Sequence, residues 1–309
     1  MTETLLISPA RSTSIFRGPN GIRAGWRVLI FVLLMVSMVV LINLTLRLAH
    51  AHIGGTSQLS QLSPLGTTLM EAPLFVFPVL ASLIMARIER RLFRDYGLPL
   101  RSAFGADFWK GSLIGFSAIS GVLLALFAAH TFRLTGLAIH GSTIVSAALA
   151  WTAAFIFVGL AEEFLFRGYL QYTLTTGMGF WPAAAILSVL FALAHMGNPG
   201  ESKFGLLNVV IVALLFCLFL RRTGNLWFAV GFHAAWDWGQ TFVYGVRDSG
   251  VAPYHNLLDS SFTGPRWITG GTVGPEASIF TPIVLAIVAV LFSRFYRENR
   301  YAASLSSRP

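Results

Sequence analysis

The chain alternates long apolar runs with short polar connections. Eight runs are candidates for membrane-spanning helices, and each is close to the ~20 residues that a bilayer requires. They cover residues 26–48, 68–86, 111–130, 143–163, 181–196, 204–220, 226–244 and 277–292. The pattern predicts an all-α fold, a polytopic membrane helix bundle with about eight transmembrane helices.

Composition supports this class of protein. Of the 309 residues, 55% are hydrophobic and 11% are charged, whereas soluble domains carry about a quarter charged residues. The sequence shows no internal repeat and no separate soluble domain. We expect one transmembrane domain over residues 21–300, preceded by a flexible cytoplasmic tail over 1–20 and followed by a cytoplasmic tail over 301–309.

Basic residues are distributed unevenly between the connections. With the N-terminus on the cytoplasmic side, 16 of the 22 Lys and Arg residues fall in cytoplasmic segments. The opposite side holds Arg47, Arg133, Lys203, Arg247 and Arg266. Because cytoplasmic loops are enriched in basic residues, the count predicts a multi-pass protein of the plasma membrane with both termini in the cytoplasm. The net charge of +9 then faces anionic lipid headgroups, and no nucleic-acid partner is expected.

Three ionisable residues, Glu162, Glu163 and Arg167, follow the apolar run that begins at residue 143. A charge at bilayer depth costs ~3 kcal/mol or more, so such groups persist where they are paired or line a cavity. Glu163 and Arg167 stand at i and i+4, the favoured orientation for an ion pair on a helix. Glu162 is rotated by about 100° from Glu163, which leaves its carboxylate for chemistry. Bonding between neighbouring helices is the alternative role for all three.

Two further polar groups lie in apolar helices: His195, and His233 with Asp237 one turn later. If the fourth helix continues to residue 176, it forms a hairpin with the fifth helix, and the arms from Glu162 and from His195 to the turn are equally long. We therefore expect Glu162, His195, His233 and Asp237 to line one cavity that opens to the cytoplasm. The loop 247–276 is expected to cover the bundle without contributing chemistry.

A carboxylate and two imidazoles at one depth suit the activation of water. Glu162 is the candidate general base, and His195 would orient the water. His233 with Asp237 would stabilise an oxyanion, or Asp237 would orient His233. A zinc site is the second interpretation, with His195, His233, Glu162 and Asp237 as candidate ligands.

The order EExxxR, FxxxH and HxxxD on successive membrane helices resembles the CPBP family, which includes the type II CAAX prenyl endopeptidases and the bacterial Abi and bacteriocin-immunity proteins. The resemblance implies that Glu162 and His195 activate the hydrolytic water. It also implies that His233 and Asp237 serve the oxyanion, and that Glu163 and Arg167 are a supporting pair. Position 237 holds Asp where the prenyl-protein enzymes typically have Asn.

The leading hypothesis is an intramembrane endopeptidase, glutamate-dependent or metallo, that cleaves a membrane-associated peptide or protein near the cytoplasmic face. A non-catalytic immunity or scaffold protein, which retains the motifs as structural contacts, is the alternative. A proton-coupled transporter ranks last. Transporters usually contain repeats with broken helices in matching positions, and the sequence shows neither feature.

Overall fold

The computed structural model describes residues 15–18, 21–48 and 61–301. The predicted tails, 1–20 and 301–309, lie almost entirely outside these residues. The helices are α1 (Ala24–Leu48), α2 (Pro64–Glu89), α3 (Ala106–Ala128), α4 (Ser142–Arg167), α5 (Tyr169–Met178), α6 (Phe180–Ala194), α7 (Lys203–Thr223), α8 (Trp227–Asp237), α9 (Arg266–Thr269) and α10 (Phe280–Phe295). Short strands are β1 (Arg17–Gly18), β2 (Gly21–Ile22), β3 (Gln61–Leu62), β4 (Phe132–Leu137), β5 (Ala252–Pro253) and β6 (Leu258–Phe262).

The all-α class is confirmed: the protein is a bundle of apolar helices. Within the described residues, six helical segments are long and apolar enough to cross a membrane, with α4 and α5 together forming one of them. The last two predicted spans are shorter. Helix α8 has 11 residues and continues as a π-helix over Trp238–Val243, and α10 has 16. The predicted count of eight spans is therefore not confirmed.

The condition stated above, that the fourth helix continues unbroken to residue 176, is not met. Helix α4 ends at Arg167, and α5 begins at Tyr169 after a break at Gly168. A Cβ at Gly168 would lie 2.4 Å from the carbonyl oxygen of Phe164, so the break requires a residue without a side chain. Helix α5 then packs against α6, so that α4 and α5 form one arm of the expected hairpin and α6 forms the other. Gly179, at φ +86°, makes the turn.

Helices α3 and α8 pack in direct backbone contact. A Cβ added to Gly111 would lie 2.1 Å from the carbonyl oxygen of Phe228, and one added to Gly115 would lie 2.1 Å from that of Phe232. Small residues spaced by four let membrane helices approach this closely. The contact fixes the position of α8, which carries His233 and Asp237.

The two ends of the bundle differ. At one end, β4 pairs with β6 in an antiparallel ladder, and β3 pairs with β5 in parallel. The β4–β6 pair ties the connection between α3 and α4 to the long segment 244–279, and the β3–β5 pair ties the residues just before α2 to the same segment. At the other end, Arg27 of α1 forms an ion pair with Glu89 of α2, which also accepts a hydrogen bond from the Tyr169 hydroxyl of α5.

Candidate active site

The motif residues occupy three helices that face one another across a cavity. Glu162 lies near the end of α4, His195 directly follows α6, and His233 and Asp237 lie on α8. These four side chains all line a single cavity of about 190 Å³. That volume accommodates several water molecules. The juxtaposition expected from the motif spacing is present.

Glu163 and Arg167 form the expected ion pair one turn apart on α4. Arg167 Nη1 donates to Glu163 Oε1 at 3.3 Å, and both side chains are fully buried. The guanidinium carbon lies 4.4 Å from the centre of the Phe191 ring and 5.5 Å from that of Phe216. Aromatic faces attract a desolvated cation, so these rings supplement the single carboxylate partner.

His233 contacts three carboxylates. Its Nδ1 lies 3.1 Å from Glu163 Oε1, and its Nε2 lies 3.7 Å from Glu162 Oε2 and 3.5 Å from Asp237 Oδ2. The ring stacks on Phe216 with centroids 5.3 Å apart. Because Nδ1 is held by Glu163, Nε2 is the nitrogen directed toward Glu162 and Asp237.

His195 is oriented by its own helix. Its Nδ1 lies 2.8 Å from the backbone oxygen of Phe191, four residues earlier. A carbonyl oxygen only accepts, so Nδ1 carries the hydrogen and donates it. In the neutral imidazole, Nε2 is then the unprotonated nitrogen. His195 can therefore act as an acceptor for a water molecule in the cavity.

Polar residues that the motifs do not include also line the cavity, among them Glu71, Asn208, Asp248 and Glu276. Glu71 lies in an otherwise apolar stretch of α2, which is the same signal that drew attention to Glu162. Asp248 and Glu276 come from the segment 244–279, for which no chemical role was expected. The segment folds inward and places both carboxylates at the cavity, which the sequence did not indicate.

Asp248 and Glu276 lie outside the membrane-spanning helices but are held within the protein. Thr241 Oγ1 donates to Asp248 Oδ2 at 3.0 Å, and the backbone amide of Ser249 donates to Glu276 Oε2 at 2.9 Å. Burial raises the pKa of Asp248 to about 6. Burial, together with the Asp248 charge, raises the pKa of Glu276 well above its usual value.

The cavity lies toward the end of the bundle that carries β3–β6. Its walls include residues near the start of α2, α7 and α10, near the end of α6, and in the segment 244–279: Thr67, Glu71, Gly205, Asn208, Thr281, His195 and Val273. The count of basic residues assigns this end to the side opposite the cytoplasm. The expected opening to the cytoplasm is therefore not confirmed, and it conflicts with the predicted orientation of the termini.

The zinc set proposed from the sequence does not form a compact group of ligand atoms. In the part of the chain that the structure describes, the residues whose ligand atoms lie within 4.8 Å of one another are Asp237, Asp248 and Glu276. His233 is engaged with Glu163 through Nδ1. These side chains do not present the imidazole nitrogens that zinc prefers.

Comparison with known proteins bears on the same region. Residues 144–239 match the family model described as type II CAAX prenyl endopeptidase Rce1-like. The family resemblance is confirmed. The Rce1-like match includes all six motif residues, whereas Glu71, Asp248 and Glu276 fall outside it. Together with the apolar helices, it supports a multi-pass membrane protein with protease function. No curated protein matches the chain.

Proposed function

We propose that this protein is an intramembrane endopeptidase in which Glu162 and His195 activate a water molecule. The observation that carries the proposal is the meeting of Glu162, His195 and His233 at one cavity within an apolar bundle. Glu163 is used by Arg167 and His233. Glu162 lines the cavity and its side chain is 21% exposed, whereas the Glu163 side chain is fully buried. This difference supports a structural role for Glu163 and a reactive role for Glu162.

The residues suit a stepwise hydrolysis. Glu162 takes a proton from water while the water oxygen attacks the peptide carbonyl, and His195 Nε2 accepts a hydrogen bond from the second O–H of the water, whose proton stays on the oxygen, and so orients the nucleophile. The carbonyl oxygen becomes an oxyanion, which a protonated His233 Nε2 can stabilise by donating a hydrogen bond. Glu162 then returns its proton to the departing amine, so the peptide C–N bond breaks and the carboxylate is regenerated.

The substrate in this proposal is a peptide segment delivered through the bilayer. The cavity is enclosed by membrane helices, and the Rce1-like match supports a peptide substrate. Cleavage near the cytoplasmic face was expected from the sequence. We instead propose cleavage toward the side that the segment 244–279 faces, because that segment and the adjoining helix ends form the cavity.

The direct test is peptide cleavage by purified protein in nanodiscs. The panel contains quenched fluorescent peptides with a transmembrane anchor, a farnesylated CAAX end, or neither. We expect wild-type protein to cleave at least one anchored peptide and His195→Ala to lose that activity. Glu298→Gln, which changes an exposed glutamate, is the control. Equal turnover by wild type and His195→Ala would refute the proposed role of His195.

A non-catalytic scaffold is the second candidate. The observation that favours it is the buried contact of Glu163 with both Arg167 and His233, which joins α4 to α8 regardless of any reaction. In that case, substitutions of Glu163, Arg167 or His233 would lower the free energy of unfolding, and wild-type protein would cleave no peptide in the panel.

A further inference from the structure

Three carboxylates from distant parts of the chain meet at the wall of the cavity. Asp237 ends α8, Asp248 follows the π-helix, and Glu276 precedes α10. One oxygen of each lies within 4.8 Å of the others. Asp237 and Asp248 are buried, at 5% and 8% exposure. Like charges held this close in a protein interior repel one another strongly, so ionisation of all three carboxyl groups calls for positive charge beyond the His233 ring, which contacts Asp237.

Asn208 supplies an independent indication of what is missing. It is 3% exposed and lines the same cavity. Its Nδ2 donates to the backbone oxygens of Glu276 and Ser278, at 2.8 and 3.2 Å. Because carbonyl oxygens only accept, the amide orientation is settled. Its Oδ1 has no hydrogen-bond partner within the described residues.

This part of the cavity wall therefore combines three carboxylates with an unpartnered amide oxygen. Ionised carboxylates only accept hydrogen bonds, so they cannot satisfy that oxygen. A cation satisfies all four oxygens at once. The donor set is entirely oxygen, which suits hard divalent cations such as Ca²⁺ or Mn²⁺ and not zinc, which favours nitrogen and sulfur.

We propose that Asp237, Asp248, Glu276 and the Asn208 amide oxygen form a binding site for a hard divalent cation at the edge of the cavity. Ca²⁺ is accommodated by oxygen ligands at 2.3–2.6 Å, and carboxylate oxygens within 4.8 Å of one another can share a sphere of that radius. The remaining coordination positions face the cavity and would be filled by water.

The site gives Asp237 a role beside His233. This part of the inference depends on the proposed hydrolysis, whereas cation binding does not. An ionised Asp237 alone would repel an oxyanion held by His233. Bound to a divalent cation, the same carboxylate has its charge compensated and repels an oxyanion at His233 less strongly.

Binding is measurable with Tb³⁺, a luminescent substitute for Ca²⁺ that is sensitised by nearby tryptophan. Trp236 lines the same cavity. In intact protein in detergent, we expect saturable Tb³⁺ luminescence that Ca²⁺ or Mn²⁺ displaces and that Zn²⁺ does not. Glu276→Gln and Asp248→Asn should each weaken Tb³⁺ binding by more than about tenfold, since even outer-shell partners of a metal contribute that much.

Glu201→Gln is the matched control, because Glu201 lines the cavity but is not part of the three-carboxylate cluster. Equal weakening by Glu201→Gln would indicate a diffuse negative potential and overturn the site. Absence of saturable Tb³⁺ binding to wild-type protein would overturn it without any variant. Melting curves add a further readout: Ca²⁺ should raise the Tm of wild type and leave that of Glu276→Gln unchanged. The binding assays report on the site even where no peptide is cleaved.

Discussion

His233 Nδ1 and Arg167 Nη1 converge on the same oxygen, Glu163 Oε1, at 3.1 and 3.3 Å. One buried carboxylate oxygen therefore joins α4 to α8 and compensates a buried guanidinium. Adjacent Glu162 makes neither of these two contacts and faces the cavity. We therefore expect the two neighbouring glutamates to have separable roles.

Substitution of the two glutamates should separate stability from chemistry. Glu163→Leu leaves the buried Arg167 without its carboxylate, and removal of one partner of a buried pair costs about 3–5 kcal/mol. Glu162→Gln keeps the shape of the side chain, which is 21% exposed and lies 3.7 Å from His233 Nε2, and should change the free energy of unfolding by less than about 1 kcal/mol. Denaturant unfolding in mixed micelles, followed by tryptophan fluorescence, measures both.

Similar destabilisation by the two substitutions would contradict this division. It would instead favour the scaffold hypothesis, in which both glutamates connect helices.

The close packing of α3 on α8 predicts an unusual sensitivity to a single methyl group. Gly115→Ala would place a Cβ 2.1 Å from the Phe232 carbonyl, next to His233 in sequence. We expect the free energy of unfolding to fall by about 1–3 kcal/mol, as for other overpacked sites. We also expect reduced turnover, because the added methyl group displaces α8, which carries His233 and Asp237. Thermal melts and peptide cleavage report the two effects.

Gly121→Ala on the same helix is the matched control. The nearest atom to its Cβ would be a Val284 methyl carbon at 3.9 Å, which is ordinary contact. Because Ala is the better helix former, this variant should be neutral or slightly stabilised. An equal fall in the free energy of unfolding for Gly115→Ala and Gly121→Ala would contradict the backbone contact between α3 and α8.

The side of the membrane that the cavity faces can be mapped with single cysteines. Cys217 is the one cysteine of the chain and is buried, so Cys217→Ala provides the background. In intact cells, a membrane-impermeant maleimide should label Ser261→Cys, in the segment 244–279, and should leave Ser102→Cys, between α2 and α3, unlabelled. The reverse pattern would place the cavity toward the cytoplasm and invert the topology drawn from the basic residues.

His195 should matter for turnover and little for folding. It is half-buried, and its hydrogen bond is to its own helix, so His195→Ala removes no contact between helices. We expect kcat/KM to fall by about 10²–10⁴ for loss of an acid–base group, with Tm nearly unchanged. A large fall in Tm would assign His195 a structural role.

Much of the fold could be predicted because lipid imposes simple requirements. Apolar runs of bilayer length must be helical, and the pattern located α1 to α4, α6 and α7 within about five residues, while α5 was not predicted as a separate helix. The meeting of the four cavity-lining motif residues could be predicted from their spacing, because the rise per residue of a helix gives the depth of each residue in the bilayer. The break at Gly168 interrupts the hairpin arm formed by α4 and α5. It does not separate the motif residues, since α5 still packs beside α6.

The remainder depends on contacts that no local pattern records. Asp248 and Glu276 lie in a polar connection and enter the cavity because the connection is tied back by β4 and β6. Phe216 supports both Arg167 and His233, yet in the sequence it is one more apolar residue of α7. Such roles arise from packing between elements distant in the chain.

A role of Glu162 as general base is best tested by cleavage of a membrane-anchored peptide by Glu162→Gln in nanodiscs, at matched folded concentration. The amide retains the size of the side chain but cannot accept the proton of water. We expect an unchanged melting curve and a fall in kcat of at least about 100-fold. Turnover equal to that of wild type would contradict that role.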